Sequence, residues 1–504
     1  MRTWNAVALS FSCALACTGT AHAQRGGGLE WSTAGGDAQR SSWVRNDAKI
    51  SVDRMQKGGF GVAWKIKLSG EPTTASVLDR YIGYRGFRSY AFAGTASGEL
   101  IAIDSDLGRV EWTKKIGSGP KGTAACSGGM TSNIARNVSP MFPAAPAGRM
   151  GGGFGRGGPA KSDVGQANEG AVTIAPALAN ANAAAARGGR GAAAFPGMPG
   201  ARGASGATGA PMPPRRMGET LVALSSDGSL HDMYVSNGEE PTPPIPFVPA
   251  NSNARDLALV NNVAYVATSQ GCGGAANGVW AVDMNSKQVN HWSPASGDIA
   301  GSGFAFGPDS KVYASTTSGD LVALDPAKMQ PAGVYRASGQ KFSSSPIVLD
   351  YKTKPLVAAA TEDGHIHLVD GVGLTGSAFS GAASGPLATW SDPNGTNWIV
   401  APSKNNIAAW KVTGDTPSLQ SGWTSPEIAS PMPPIIVDGV IFTVSNSPSA
   451  VLHALDGATG KELWNSGKTM TAAVRIGSLS SGNDQIYIGT SDGMIYAFGF
   501  PIEH

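Results

Sequence analysis

Ala102 to Trp112 reads AIDSDLGRVEW and Ala454 to Trp464 reads ALDGATGKELW, so one chain writes Ala-x-Asp-x-x-x-Gly-x-x-x-Trp near both its ends. Each copy has a local physical reading. The Asp side chain can accept hydrogen bonds from the turn amides that follow it, and the Gly can take a left-handed backbone that reverses the chain. The reversal aims the tryptophan back at the sheet it came from. Trp112 and Trp464 are therefore expected to fill the space between neighbouring sheets.

Working outward from these two stretches, the chain shows a period. AFAGTASGELIAID turns at Gly98, VYASTTSGDLVALD at Gly319 and IYIGTSDGMIYAF at Gly493, each a β-run, a tight turn and a second β-run. Degenerate copies turn at Gly228, Gly278, Gly364, Asn406 and Ala450, which makes eight in all. Once one insertion is set aside the spacing is about 45 residues, a repeat architecture. A lone hairpin is marginal in water, so the copies must pack on one another. Alternation at Ile486, Ile488, Ile495 and Ala497 suits strands that face a neighbouring sheet. The prediction is an all-β, eight-bladed β-propeller of four-stranded antiparallel blades.

Closure of the ring can also be read. The last copy ends at MIYAFGF and lacks an outer strand, while GVAWKIKL at Gly61 to Leu68 stands unassigned near the N-terminus and carries a tryptophan, Trp64. This strand is expected to complete the last blade. The division that follows is a leader at 1–23, a lead-in at 24–60 and the propeller at 61–504. Charged residues are only 15% of the chain and Gly occupies 69 positions, which fits many short strands and turns better than long charged helices.

The leader has a basic start at Arg2, a short apolar run from Val7 to Ala16 and the small-x-small site Ala21-His22-Ala23. Its run is too short to span a bilayer, and no later stretch reaches about 18 apolar residues. A periplasmic or secreted protein is expected, cleaved near Ala23, with no transmembrane segment. A lipid anchor on Cys17 fits less well, because Leu15 stands one place away from where such a signal needs it. Cleavage removes Cys13 and Cys17 and leaves Cys126 and Cys272 in an oxidising compartment, either bridged or as two separate buried thiols.

The insertion, residues 137–217, is dominated by Gly, Ala, Pro and Arg and is read as a disordered loop. It holds eight basic residues against Asp163 and Glu169, a basic arm on a mildly acidic body. Export argues against nucleic acid as its partner. Its GGGFGRGG run is not a phosphate loop, since no strand, helix or Lys-Ser/Thr accompanies it.

At this point the residues resemble those of the quinoprotein-like β-propellers, built on the pyrroloquinoline quinone repeat. The stretches at Ala102 to Trp112 and Ala454 to Trp464 look like that family's tryptophan-docking motif, and the lead-in from Glu30, with Trp31, Gly35, Gly36, Asp37 and Arg40, is similar to the segment before its first blade. The resemblance covers about residues 30 to 504 without the insertion, and it implies docking roles for Trp64, Trp112 and Trp464. It also implies one of two functions. Enzymes of the family hold pyrroloquinoline quinone and Ca²⁺ at the axis and oxidise alcohols or sugars, while others bind proteins, as the propeller of the outer-membrane assembly machinery does.

This chain departs from the enzymes in that no two cysteines adjoin and no Cys-x-x-Cys-His is present, although a soluble sugar-oxidising type dispenses with adjacent cysteines. No catalytic residue can be placed by motif. His365 and His367 share a strand face and could form half of a metal site, but no second pair accompanies them, and no nucleophile elbow is found. The main reading is a non-catalytic exported scaffold for a protein or polymer partner, with no cofactor. The alternative is a quinone- and calcium-dependent dehydrogenase.

Overall fold

The computed structural model describes residues 30–501 except 84–85, 120, 122–125, 127, 143–217 and 447–448. The leader and most of the insertion lie outside the described residues. Eight small sheets are formed, almost without helix, arranged as an eight-bladed propeller. Blade 1 is Ser76–Gly83, Gly86–Gly94, Glu99–Asp104 and Arg109–Lys115, paired antiparallel in that order from the axis outward. Blades 3 to 6 repeat the plan with inner strands Asn253–Val260, Ile299–Phe306, Ile347–Tyr351 and Ala388–Ser391. Blade 7 does so from Ile435–Val437 and blade 8 from Val474–Gly482. Blade 2 has Thr220–Leu224, Ser229–Tyr234 and Ile245–Pro246, and its inner position is held by Ala135 bridging Val222.

The repeat turns fall where the period puts them, with Gly98, Gly228, Gly319, Gly364 and Gly493 all at positive φ between the second and third strands of their blades. The expected one-face alternation does not hold in those strands. Val312–Thr316 and Gln485–Thr490 are buried at every position, because a middle strand is sandwiched between the two neighbouring blades. Alternation survives on outer strands such as Glu99's partner Arg109–Lys115, where one face meets solvent.

Ring closure runs as the sequence predicts. Gly61–Lys67 pairs antiparallel with Met494–Gly499, placing Trp64 opposite Ala497 and Ile66 opposite Ile495. The tryptophans then link blade to blade. The Trp64 indole donates to the Ser105 carbonyl at 2.7 Å and lies over Gly108 of blade 1; Trp112 donates to the Val235 carbonyl at 2.9 Å and lies over Gly238 of blade 2. Trp423, which the sequence pattern missed, repeats the contact from blade 6 to Gly457 and Gly460 of blade 7. Asp104, Asp283, Asp325, Asp370 and Asp456 each accept two turn amides through Oδ1, the arrangement anticipated for Asp456. Trp464 differs, because blade 8 has no such turn to receive it. Phe60 of the lead-in takes that place, edge-on with ring centroids 5.0 Å apart.

Two segments add to the plan. The boundary of the insertion at 137 is corrected: Asn137–Val138 pairs parallel with Leu259 and Val260, and the Pro140 carbonyl accepts from Gln39 Nε2, so residues 137–142 belong to the fold. The lead-in, meanwhile, makes a tour of the axis. Trp31 exchanges backbone hydrogen bonds with Val77 of blade 1, and Ser32 accepts from Arg136 on the way to blade 2. Thr33 Oγ1 donates to Leu257 of blade 3. Ala38, Gln39, Ser41 and Ser42 then accept from Phe306, Val348, Thr389 and Ile436 of blades 4 to 7, and Ala48 donates to Asp484 of blade 8. Inner strand edges that would otherwise expose backbone groups are thus satisfied by one passing chain.

Candidate functional site

The lead-in turns the axial channel into a funnel. Thr73 and Thr74, Ser345, Leu387 and Pro433 stand where inner strands begin, and residues Trp31 to Ser42 form the floor beyond them. The cavity is about 140 Å³. Its floor is fixed by packing: the Trp31 ring is 2% exposed and sits against Gly36, where an added Cβ would come within 3.2 Å of the ring. Asp37 holds the turn by accepting from Ser41 N at 2.9 Å and Ser41 Oγ at 2.5 Å. Arg136, buried under the floor, ties lead-in to blades with Nη2 at 2.8 Å from Glu30 and Nη1 at 3.0 Å from Glu219.

Charge in the funnel is mostly cationic. Arg40 pairs with Asp256, and Arg475 makes a two-pronged pair with Glu71, Nε to Oε1 at 3.1 Å and Nη2 to Oε2 at 3.1 Å. Arg255 makes no ion pair among the described residues and bonds Asn253 Oδ1 at 3.2 Å. Burial and then the nearby Arg475 push its pKa down. Arg255 and Asp256 sit at a bulge of the blade 3 inner strand, with Asp256 at φ 58. That charged pair inside the apolar run NARDLALV is the signal that could have pointed to the funnel.

Other residues singled out by sequence fall elsewhere. Cys126 and Cys272 are joined by a disulfide, Cα to Cα 5.4 Å, tying the segment before Ala135 to the hairpin loop of blade 3 rather than lining the axis. His367 is buried, with Nδ1 3.0 Å from the Tyr335 hydroxyl and Nε2 2.9 Å from Gln340 Oε1. Burial lowers its pKa. His365 Nδ1 is 2.9 Å from Asp363, so both rings are engaged by side-chain partners. Among the described residues no three His, Cys, Asp or Glu gather as a metal site.

The axis is thus walled by eight blades and floored by the lead-in. Comparison with known proteins shows what the chain is similar to. Residues 377–466 match the family model described as outer membrane protein assembly factor BamB. The structure of BamB from Moraxella catarrhalis is similar at a TM-score of 0.51 and 12% identity, over 89% of this chain and 99% of that one. Quinohemoprotein alcohol dehydrogenase from Comamonas testosteroni is similar at 0.53 and 12%, over 94% and 81%. The enzyme ADHIIG from Pseudomonas putida HK5 gives 0.55 and 11%, over 95% and 82%. No curated protein matches the sequence. Residues 377–466 match that family model, and the chain as a whole shares the β-propeller fold of these structures.

The described residues do not fit the quinone and calcium of the enzymes in this fold. Ca²⁺ takes six to eight oxygen ligands, usually with several carboxylates. Among the described residues the lining offers one, Asp256, already bound to Arg40, and the neighbouring Glu71 is taken by Arg475. The one aromatic ring in its lining, Trp31, is packed on Gly36 and presents no open face, and the volume is below the roughly 300 Å³ at which ligand pockets begin.

Proposed function

We propose that this protein is an exported, non-catalytic scaffold that holds a protein or polymer partner at the face where the axial funnel opens. The observation that carries the reading is the funnel itself. It is stoppered by the lead-in, rimmed by Thr74, Pro386 and Pro433, and lined by arginines of which Arg255 lacks a carboxylate partner among the described residues. Guanidinium groups in such a place recognise carboxylates and other oxyanions with directional hydrogen bonds. The family match to an outer membrane protein assembly factor supports a protein partner, and the leader motif supports export. The likeness to alcohol dehydrogenases keeps a quinone-dependent oxidation as the competing reading.

Two measurements decide. A photo-crosslinking residue at Thr74 on the funnel rim should capture a discrete partner from the exported fraction, while one at Asp309, on the opposite face in the first hairpin of blade 4, should not. Equal capture at both positions, or none at Thr74, defeats the scaffold reading. Calorimetric titration with pyrroloquinoline quinone, with and without Ca²⁺, should show no binding. Tight, calcium-dependent, one-to-one binding would install the dehydrogenase reading instead.

A further inference from the structure

A second cavity lies away from the axis. It occupies about 610 Å³ between blades 5 and 6, on the face opposite the funnel, where the first hairpins of both blades meet the lead-in. Its walls include four aromatic side chains, Trp43, Phe142, Tyr351 and Trp390. Hydrogen bonds hold the surrounding frame: the Tyr351 hydroxyl donates to the Gly414 carbonyl at 2.6 Å, and Asn397 Nδ2 donates to the Asp350 carbonyl at 2.6 Å. The volume is that of a preformed site for a small organic molecule, and the lining combines the aromatic walls with polar groups, Arg45, Asp350 and Lys352 among them.

One of those groups is left wanting. Trp43–Val44 pairs parallel with Ile436 and Val437, so residues 43 and 45 project to the same side of that short strand. The Arg45 guanidinium lies over the Trp43 ring, 4.0 Å from its centroid, with 14% of the side chain exposed. Its nearest acidic oxygen is Asp37 Oδ2 at 3.8 Å, and that atom already accepts from Ser41 Oγ. Arg45 Nε is buried with no hydrogen-bond partner, and so is the indole nitrogen of Trp390 in the same wall. Burial pushes the Arg45 pKa down, yet a guanidinium remains protonated at any ordinary pH. Arg45 thus has the ion pair to Asp37 and the field of Asp350 in the same wall, but its Nε donor is withdrawn from water with nothing to bond, which is costly unless something else completes it.

We infer that this pocket is a binding site for a small aromatic carboxylate, its anionic head on Arg45 and its flat body between the aromatic walls. Trp43 stacks the guanidinium and fixes its plane, which prepares it for a bidentate partner. This inference is independent of the funnel and stands whether or not the funnel holds a protein.

The test uses the full chain and anilinonaphthalene sulfonate, a fluorescent aromatic anion, as reporter. One-to-one binding is expected, with displacement by indole acetate at concentrations at least about ten-fold lower than by its neutral isostere indole acetamide, since charge assistance is the difference between them. Arg45→Gln should remove the preference for the acid, and Arg45→Lys should keep part of it. The acid and amide comparison on the unaltered chain carries the test even if Arg45→Gln fails to fold. Equal displacement by acid and amide, no saturable reporter site, or a preference that survives in Arg45→Gln would each overturn the inference.

Discussion

Two buried titratable residues pull the stability of this protein in opposite directions with pH. The Asp47 carboxyl is pushed up to about 7, first by burial and also by the facing Asp484 carboxylate, against the amides of Ile50 and Lys49 that bond it. A carboxyl whose folded pKa lies above its unfolded value contributes stability at low pH and loses it as pH rises through the folded value. Asp47→Asn is therefore expected to raise the melting temperature at pH 8 by several degrees and to change it little at about pH 2.5, below the ordinary aspartate value of about 3.9, where the acid is protonated in both states; scanning calorimetry at the two pH values checks this. His367 has the reverse sign. Its folded pKa is depressed by burial, so its contribution is present above the ordinary histidine value of about 6.5 and is lost as pH falls towards the folded pKa. His367→Gln should flatten the fall in stability on acidification below about pH 6.5, read from urea midpoints across that range.

Elements are joined by the tryptophan docks, and their cost can be ranked. Gly108 has φ 61, and a Cβ there would come 2.4 Å from Trp64 Cγ, so Gly108→Val combines backbone strain with a clash at the seam between blades 8 and 1. A loss of roughly 3 kcal/mol or more is expected by chemical denaturation. A loss within experimental error would mean that the seam yields freely. Trp464→Ala should cost about 2 kcal/mol, below the 3 to 5 of a fully buried aromatic, because the ring is half-buried and is received by Phe60 instead of a turn glycine. Phe60→Ala should weaken the same seam, and the double variant should lose less than the sum, since the two rings share one contact.

At the scale of the whole molecule the lead-in acts as a hub. Residues 31–48 hydrogen-bond to each of the eight blades in turn, so removing them should accelerate amide exchange in the inner strands of all eight. Acceleration confined to blade 8 would show that the tour is incidental to ring stability. Reduction of the Cys126–Cys272 disulfide, which spans 146 residues of sequence, should lower stability by about 2 to 4 kcal/mol. Among the described residues no helix is long and apolar enough to cross a membrane.

By itself the sequence determined the number of blades, the site of closure and the shape of the repeated turns. Each of these rests on short-range chemistry that a repeat writes many times: an Asp before its turn amides, a glycine at positive φ, a tryptophan on the outer strand. Trp64 was legible because an orphan strand and an incomplete last blade call for each other. Trp423 was not, because the pattern that would end on it has decayed in blade 6, although the Gly460 that receives it lies in the intact copy at Ala454 to Trp464. Only the tertiary structure decided the course of the lead-in, since most of its contacts with the blades are backbone hydrogen bonds, which leave no side-chain signature. It alone also brought Arg255 to Arg475 across the axis and set Arg45 over Trp43 beside blades 5 and 6. Sites of this kind are assembled from residues far apart in the chain, and local pattern carries no record of which of them will meet.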